Sequence, residues 1–130
     1  EDHIFNESLL FNLTLGKKFP VGEIEAVLEK LDLIDWVRKL PCGLESKLSQ
    51  LNQDISNGQK QRILLARLFL ENKKIWLIDE GTSAIDPQHR SYLEEHILSQ
   101  ENKTIIFVTH HLEENSCDRF DEIVDLDRFV

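Results

Sequence analysis

Methionine is absent from the 130-residue chain, and cysteine, tryptophan, tyrosine and proline are scarce, at two, two, one and three residues. The cysteines, Cys42 and Cys117, make neither a disulfide framework nor a zinc-knuckle spacing, which fits a reducing compartment. Long apolar runs are missing as well. Nothing approaches the roughly 20 apolar residues that cross a bilayer, and the residues from Glu1 onward show no secretory-leader pattern. Positive charge is in deficit: 15 Lys plus Arg against 24 Asp plus Glu leave a formal charge of -9. That excludes a simple basic nucleic-acid module and any electrostatic reason to lie on anionic lipid. What is present, 41% hydrophobic and 30% charged residues, suits a folded, water-facing chain. The missing methionine, and an apolar series that begins at once with Ile4, Phe5, Leu9, Leu10, Phe11 and Leu13, lead us to expect a piece of a longer protein.

Two unequal regions follow. Residues 1–55 read as mostly helical. Ile24, Val27, Leu28, Leu31, Ile34 and Val37 recur at helical spacing, predicting one helix over Glu23–Leu40 that Pro41-Cys42-Gly43 stops. The polar stretch 44–54 reads as loop. In residues 56–130, Ser56 stands three residues before Gln59, a capping-box spacing for a largely buried helix through Leu70. Ile75-Trp-Leu-Ile78 and Thr104-Ile-Ile-Phe-Val108 are short apolar runs of the kind that form parallel strands covered on both faces. Asp86-Pro87 opens a helix through Leu98, residues 112–118 read as helical, and Glu122–Leu126 is a weaker strand candidate. The order predicts an α/β fold, a helical portion followed by parallel strands with flanking helices. So few strands cannot make a two-sided sheet alone, so further strands are expected upstream.

The chemistry gathers where strands end. Asp79 and Glu80 close one apolar strand and His110 closes the other, the edge at which open α/β sheets carry their sites. Successive strand residues face opposite ways, so the two carboxylates are expected to do different work. In a nucleotide hydrolase one such carboxylate holds Mg²⁺, the other orients or deprotonates water, and a histidine meets the γ-phosphate. Ile55-Ser-Asn-Gly-Gln59 leads straight into a helix whose first N–H groups could hold phosphate oxygens. The plainer alternatives are turn residues for the first group and an ordinary N-cap for the second.

Together these segments resemble one family. Ile55-Ser-Asn-Gly-Gln-Lys-Gln-Arg62 is similar to the signature motif of ATP-binding-cassette (ABC) ATPases, usually Leu-Ser-Gly-Gly-Gln. Ile75-Trp-Leu-Ile-Asp-Glu80 resembles their Walker B strand, Ser83-Ala-Ile-Asp86 their D-loop and Thr109-His110 their H-loop. Ile4–Asn12 resembles the segment just after the Q-loop of exporter-type members. All stand in the family's order and at its spacing, over nearly the whole chain, which implies a partial P-loop NTPase-like fold.

The resemblance implies ATP and Mg²⁺ as cofactors, with Asp79 at the metal, Glu80 as general base or water-positioner and His110 at the γ-phosphate of the chain's own nucleotide. It places Ser56, Asn57, Gly58 and Gln59 against ATP held by a second ABC ATPase domain, and Asp86 in communication across that dimer. Residues 1–55 would belong largely to the helical subdomain. Transmembrane domains of an exporter would be partners, and the cytoplasmic face of the membrane the location. Two signature positions depart from the pattern, Ile55 for Leu and Asn57 for Gly; Asn tolerates left-handed backbone angles better than most residues. No Gly-x-x-x-x-Gly-Lys-Ser/Thr occurs anywhere, so the Walker A loop, the adenine-stacking aromatic and the Q-loop glutamine are expected before Glu1. Two other classes stay open on the residues alone. One is a metal-dependent hydrolase using Asp79, Glu80, His110 and His111. The other is a non-catalytic helical interaction module with an acidic tail.

Overall fold

The computed structural model describes residues 3–50, 55–110, 112 and 114–126. Helix α1 spans Leu9–Thr14; the Ser8 hydroxyl caps it by accepting from Phe11 N, and Leu15 ends it in the left-handed region at φ 52°. The buried Asn12 amide stitches the preceding strand of chain to this helix. It accepts from Phe5 N at 2.7 Å and donates to the carbonyls of Phe5 and Ser8, each at 3.0 Å.

The single helix expected over Glu23–Leu40 is instead two, α2 (Val21–Lys30) and α3 (Ile34–Lys39). Leu31 and Leu33 are both fully buried. Residues two apart on a straight helix lie about 200° apart around its axis and cannot both face one core. The chain solves this by turning at Asp32, φ 51°, so that Leu33 N donates to Leu28 O at 2.8 Å. The stretch expected as loop carries two short 3₁₀ turns, Gly43–Glu45 and Leu48–Gln50, and Ser8 bridges Lys47 antiparallel. Residues 51–54 lie outside the described residues.

Helix α4 spans Asn57–Glu71 and has the capping box expected: the Ser56 hydroxyl accepts from Gln59 N, and the Gln59 side chain accepts from Ser56 N. Ile63, Leu65, Ala66, Arg67, Phe69 and Leu70 are buried, far more than one stripe. The buried Arg67 guanidinium reaches back across the chain, donating to Asn12 O at 2.6 Å and His3 O at 2.8 Å. These bonds satisfy a charge that burial would otherwise make costly.

Strands β1 (Ile75–Asp79) and β2 (Thr104–Val108) are parallel, with Ile75 opposite Thr104 and Asp79 opposite Val108, and α5 (Pro87–Leu98) crosses between them. Trp76 and Ile78 on one sheet face join the same apolar cluster as Leu93 and Ile97 of α5, Phe69 of α4 and the half-buried Ile105 and Phe107. The opposite face is bare: Ile75 is 67% and Leu77 66% exposed, and Ile106 and Val108 are exposed beside them. Coverage on both faces, expected from the apolar runs, is therefore corrected, because the described helices pack on one side of a two-stranded sheet.

After β2, the stretch 112–118 expected to be helical carries a 3₁₀ helix, Glu114–Arg119; residue 113 lies outside the described residues. Residues 122–126 do not form the expected strand; Ile123, Val124 and Leu126 are exposed, without a ladder neighbour to fix an extended conformation. The whole is the expected mixed α/β fold, a helical region followed by a small parallel sheet with flanking helices. Its apolar cluster runs without interruption from Leu9 through Leu48 to Ile97. Among the described residues, no helix is long and apolar enough to cross a membrane.

Candidate functional site

The site is built around the turn that leaves β1. Asp79 is the last strand residue and is exposed. The alternation argument does not reach Glu80, which lies one step beyond the strand at φ 48°, so its direction is set by left-handed backbone and not by the pleat. Glu80 N donates to Val108 O at 2.9 Å, extending the ladder by one rung and fixing the turn over the end of β2. Gly81 follows because a Cβ there would lie 2.6 Å from Ile78 Cγ2.

That register brings His110 beside Glu80, with Nε2 3.2 Å from Oε1. The imidazole is 83% exposed, so it faces solvent with a carboxylate at hand and is free to meet a third group. Asp79, Glu80 and His110 thus share the carboxyl edge of the sheet, as the sequence implied.

Residues 80–86 are pinned from three sides. From α4, Gln61 Nε2 donates to Glu80 O at 2.9 Å and Ser83 Oγ at 3.1 Å, while its Oε1 accepts from Ala84 N at 2.9 Å. From α5, the Glu94 carboxylate accepts from Thr82 Oγ1 at 2.8 Å in a buried contact, and Arg90 Nη2 donates to Ile85 O at 3.1 Å. At the end of the turn the Asp86 carboxylate caps α5 by accepting from His89 N at 3.2 Å.

The amino terminus of α4 abuts the same turn. A Cβ on Gly58 would meet Ala84 O at 3.2 Å, so glycine here answers to space. Asn57 is the first residue of the helix and is not among the residues with positive φ, so its tolerance of left-handed angles has no use here. The first-turn N–H groups of α4 that the cap does not take have no partner within the helix, which suits an anion.

Asp86 belongs to a chain of charges. His89 Nδ1 lies 2.8 Å from Asp86 Oδ2, and its Nε2 lies 3.1 Å from Asp32 Oδ2 at the α2–α3 turn. Arg62 donates to Asp32 O at 2.9 Å and through Nε to Gly58 O at 3.4 Å. The His89 ring, followed by its backbone N–H, holds the Asp86 carboxyl below its ordinary value.

An open groove of about 460 Å³ runs between α4 and β1, lined by Leu15, Leu64, Leu68 and Leu77, with Gln61, Arg67, Glu71 and Asp79 adding polar groups. A single exposed carboxylate is a suitable Mg²⁺ ligand, since that ion keeps several waters and takes substrate phosphates alongside one or two carboxylates. Among the described residues no group of three or more His, Cys, Asp or Glu could hold a metal by itself; His111, which the metal-hydrolase reading also named, lies outside the described residues.

Gln61, His89, Arg90 and the Thr82–Glu94 pair were not singled out from sequence. Gln61 stands inside the signature-like run, yet only the packing of α4 on the turn reveals what its amide meets.

Residues 3–83 match the family model described as ABC transporter, and the chain belongs to that family. It is 33% identical, over its whole length, to the lactococcin-G-processing and transport ATP-binding protein LagD of Lactococcus lactis, covering 18% of that protein. It is 35% identical over 85% of its length to a probable ABC transporter ATP-binding/permease protein of Haemophilus influenzae, covering 20% of it. Among solved structures, that of a bacterial Atm1-family ABC exporter with ATP bound superposes with a TM-score of 0.72 at 26% identity, covering 82% of this chain and 19% of that one. The chain therefore spans about a fifth of the length of such relatives. Its fold is a partial P-loop NTPase-like fold, and it is related to the exporter-type ABC ATPases.

Proposed function

We propose that this chain is the C-terminal part of the nucleotide-binding domain of an ABC exporter, which couples ATP binding and hydrolysis to transport across a membrane. The observation that carries the reading is the convergence of Glu80, His110 and the amino terminus of α4 on one turn. An ordinary capped helix does not call for a neighbouring turn whose carboxylate lies 3.2 Å from an exposed imidazole.

In this reading Glu80 accepts the proton of the attacking water, and His110, donating from its ring, contacts the γ-phosphate of the chain's own ATP. Asp79 holds Mg²⁺, which when bound neutralises charge on the phosphate oxygens. Ser56, Asn57, Gly58 and Gln59 face ATP on a second ABC ATPase domain, where the free N–H groups of α4 and its dipole favour phosphate. Asp86 stands at the same dimer face. Residues 1–55 are largely a portion of the helical subdomain, and Ile4–Asn12 approaches the transmembrane domains on the cytoplasmic side of the membrane. A phosphate-binding loop and further strands lie upstream, and that upstream half covers the bare face of β1 and β2.

The test is Glu80→Gln in the complete transporter. Amide and carboxylate are nearly isosteric, but only the carboxylate takes a proton, so steady-state turnover is expected to fall by about 10²- to 10⁴-fold with ATP binding retained. ATP should then hold the two domains in a closed dimer. Turnover close to that of the unmodified transporter would remove Glu80 from catalysis. Ser56→Arg should block that closure while leaving ATP binding by each separate domain intact; loss of single-domain binding would instead place Ser56 in the chain's own pocket.

A further inference from the structure

We propose that Gln61 is a positioning residue for Glu80, and that through it the helix bearing Ser56–Gln59 is mechanically joined to the catalytic turn of the same chain. The inference deepens the reading above and rests on it for the role of Glu80. What carries it is the double use of one amide. Gln61 Nε2 donates to Glu80 O at 2.9 Å and Ser83 Oγ at 3.1 Å, and its Oε1 accepts from Ala84 N at 2.9 Å. One side chain on α4 thus grips the turn at three points along residues 80–84.

The grip falls where the backbone most needs it. Glu80 is held at φ 48°, a region that residues with a Cβ enter only when their surroundings over-determine it. Its N–H is fixed by Val108 O at 2.9 Å, and its carbonyl accepts both from Ser83 N within the turn at 3.1 Å and from Gln61 Nε2 at 2.9 Å, so both flanking peptide groups have partners and the carboxylate lies beside His110. Without Gln61 the Glu80 carbonyl keeps only the turn bond from Ser83 N, and a turn no longer tied to α4 would aim the carboxylate less firmly at His110.

The same bonds carry information. Gln61 is two residues beyond Gln59 on a rigid, capped helix, and Gly58 touches Ala84 O across the same gap. A ligand drawing the amino terminus of α4 forward must pull on the carbonyl of Glu80. A nucleotide engaged by Ser56–Gln59 on the partner domain would therefore alter the aim of the general base serving this chain's own nucleotide.

The experiment uses the complete transporter with Glu80→Gln, Gln61→Leu and Gln61→Glu. Leucine keeps the volume of Gln61 and loses all three bonds; kcat is expected to fall by about 10- to 100-fold, the scale of a misplaced catalytic group, with KM for ATP within about twofold. Glutamate keeps the acceptor for Ala84 N but, when ionised, sets an oxygen against the Glu80 carbonyl. Its kcat is expected to fall at least as far as that of the leucine variant, with KM for ATP and Tm kept, since the side-chain volume and the Ala84 bond remain. A merely structural role for Gln61 would move Tm and KM together with kcat, and the Glu variant reads that split even if the Leu variant folds poorly. Unchanged kcat in either variant, or a raised KM with kcat kept, would overturn the proposal. If Glu80→Gln is dead while Gln61→Leu is normal, only the positioning role fails; if Glu80→Gln turns over, the functional reading itself fails.

Discussion

Gly58 stands with its α-hydrogen toward the carbonyl of Ala84, where a Cβ would approach to 3.2 Å, tighter than backbone easily permits. Because the obstacle is backbone on both sides, relief requires α4 and the turn to separate. Gly58→Ala is therefore expected to lower stability by about 1 kcal/mol, the usual scale of mild overpacking, despite alanine's better helix propensity. Thermal unfolding checks the sign: a rise in Tm would mean that the gap closes freely. Asn57 gives a contrasting case. Its helical backbone makes no demand that glycine meets better, so Asn57→Gly should cost about 0.5–1 kcal/mol through chain entropy. If the side chain obstructs a phosphate held by a partner domain, turnover should nonetheless stay level or rise, and a large fall would show that Asn57 contributes a contact.

At the scale of elements, α4 is the part on which the others depend. Its capping box joins Ser56 and Gln59, and its far end carries Glu71, paired with Lys17 beyond α1 and with Lys73 at 2.9 Å. Ser56→Ala removes the acceptor for Gln59 N and should cost about 1 kcal/mol, read as a lower Tm. Lys17, followed by Lys73, holds the Glu71 carboxyl below its ordinary value. The folded state thus favours the ionised form. Its contribution is fully present above the ordinary glutamate range and is lost as pH falls through the lower folded value. Replacing Lys17 and Lys73 with Met should flatten the dependence of Tm on pH in that acid range, lowering Tm most at pH 7, by a small amount since the pairs are partly exposed, and least at acid pH. An undiminished acid slope would locate the sensitivity in other carboxylates.

For the molecule as a whole, the decisive feature is the sheet, which among the described residues has one bare face and no strand beside β1 and β2. Ile75, Leu77, Ile106 and Val108 present a contiguous apolar strip, and parallel strands without neighbours invite pairing with other chains. Produced alone, the 130 residues are expected to associate, and Leu77→Lys with Ile106→Lys should raise the concentration at which they stay monomeric without changing helix content. Sedimentation and far-UV circular dichroism measure both; unchanged association would mean that the strip is not the sticky surface. The isolated chain should also hydrolyse ATP only at background rate, because no lysine-bearing phosphate loop is present in its sequence.

The sequence by itself determined the succession from α4 through β1 and α5 to β2, the cap of α4, the apolar strands and the placing of Asp79, Glu80 and His110 at one edge. Each of these is local chemistry: a hydroxyl three residues from an amide, a β-branched run, a carboxylate at its end. Membership of the family was legible in the same way, since its motifs are short contiguous words. Three matters were decided only by tertiary structure. The break at Asp32 arises because two leucines two residues apart both had to reach one core, a demand no periodicity states. The bare sheet face depends on which helices are present to cover it, and apolar runs look alike whether covered or not. The grip of Gln61 on Glu80 spans 19 residues of sequence and exists only because α4 packs beside the turn, bringing an amide and a strained peptide within 2.9 Å.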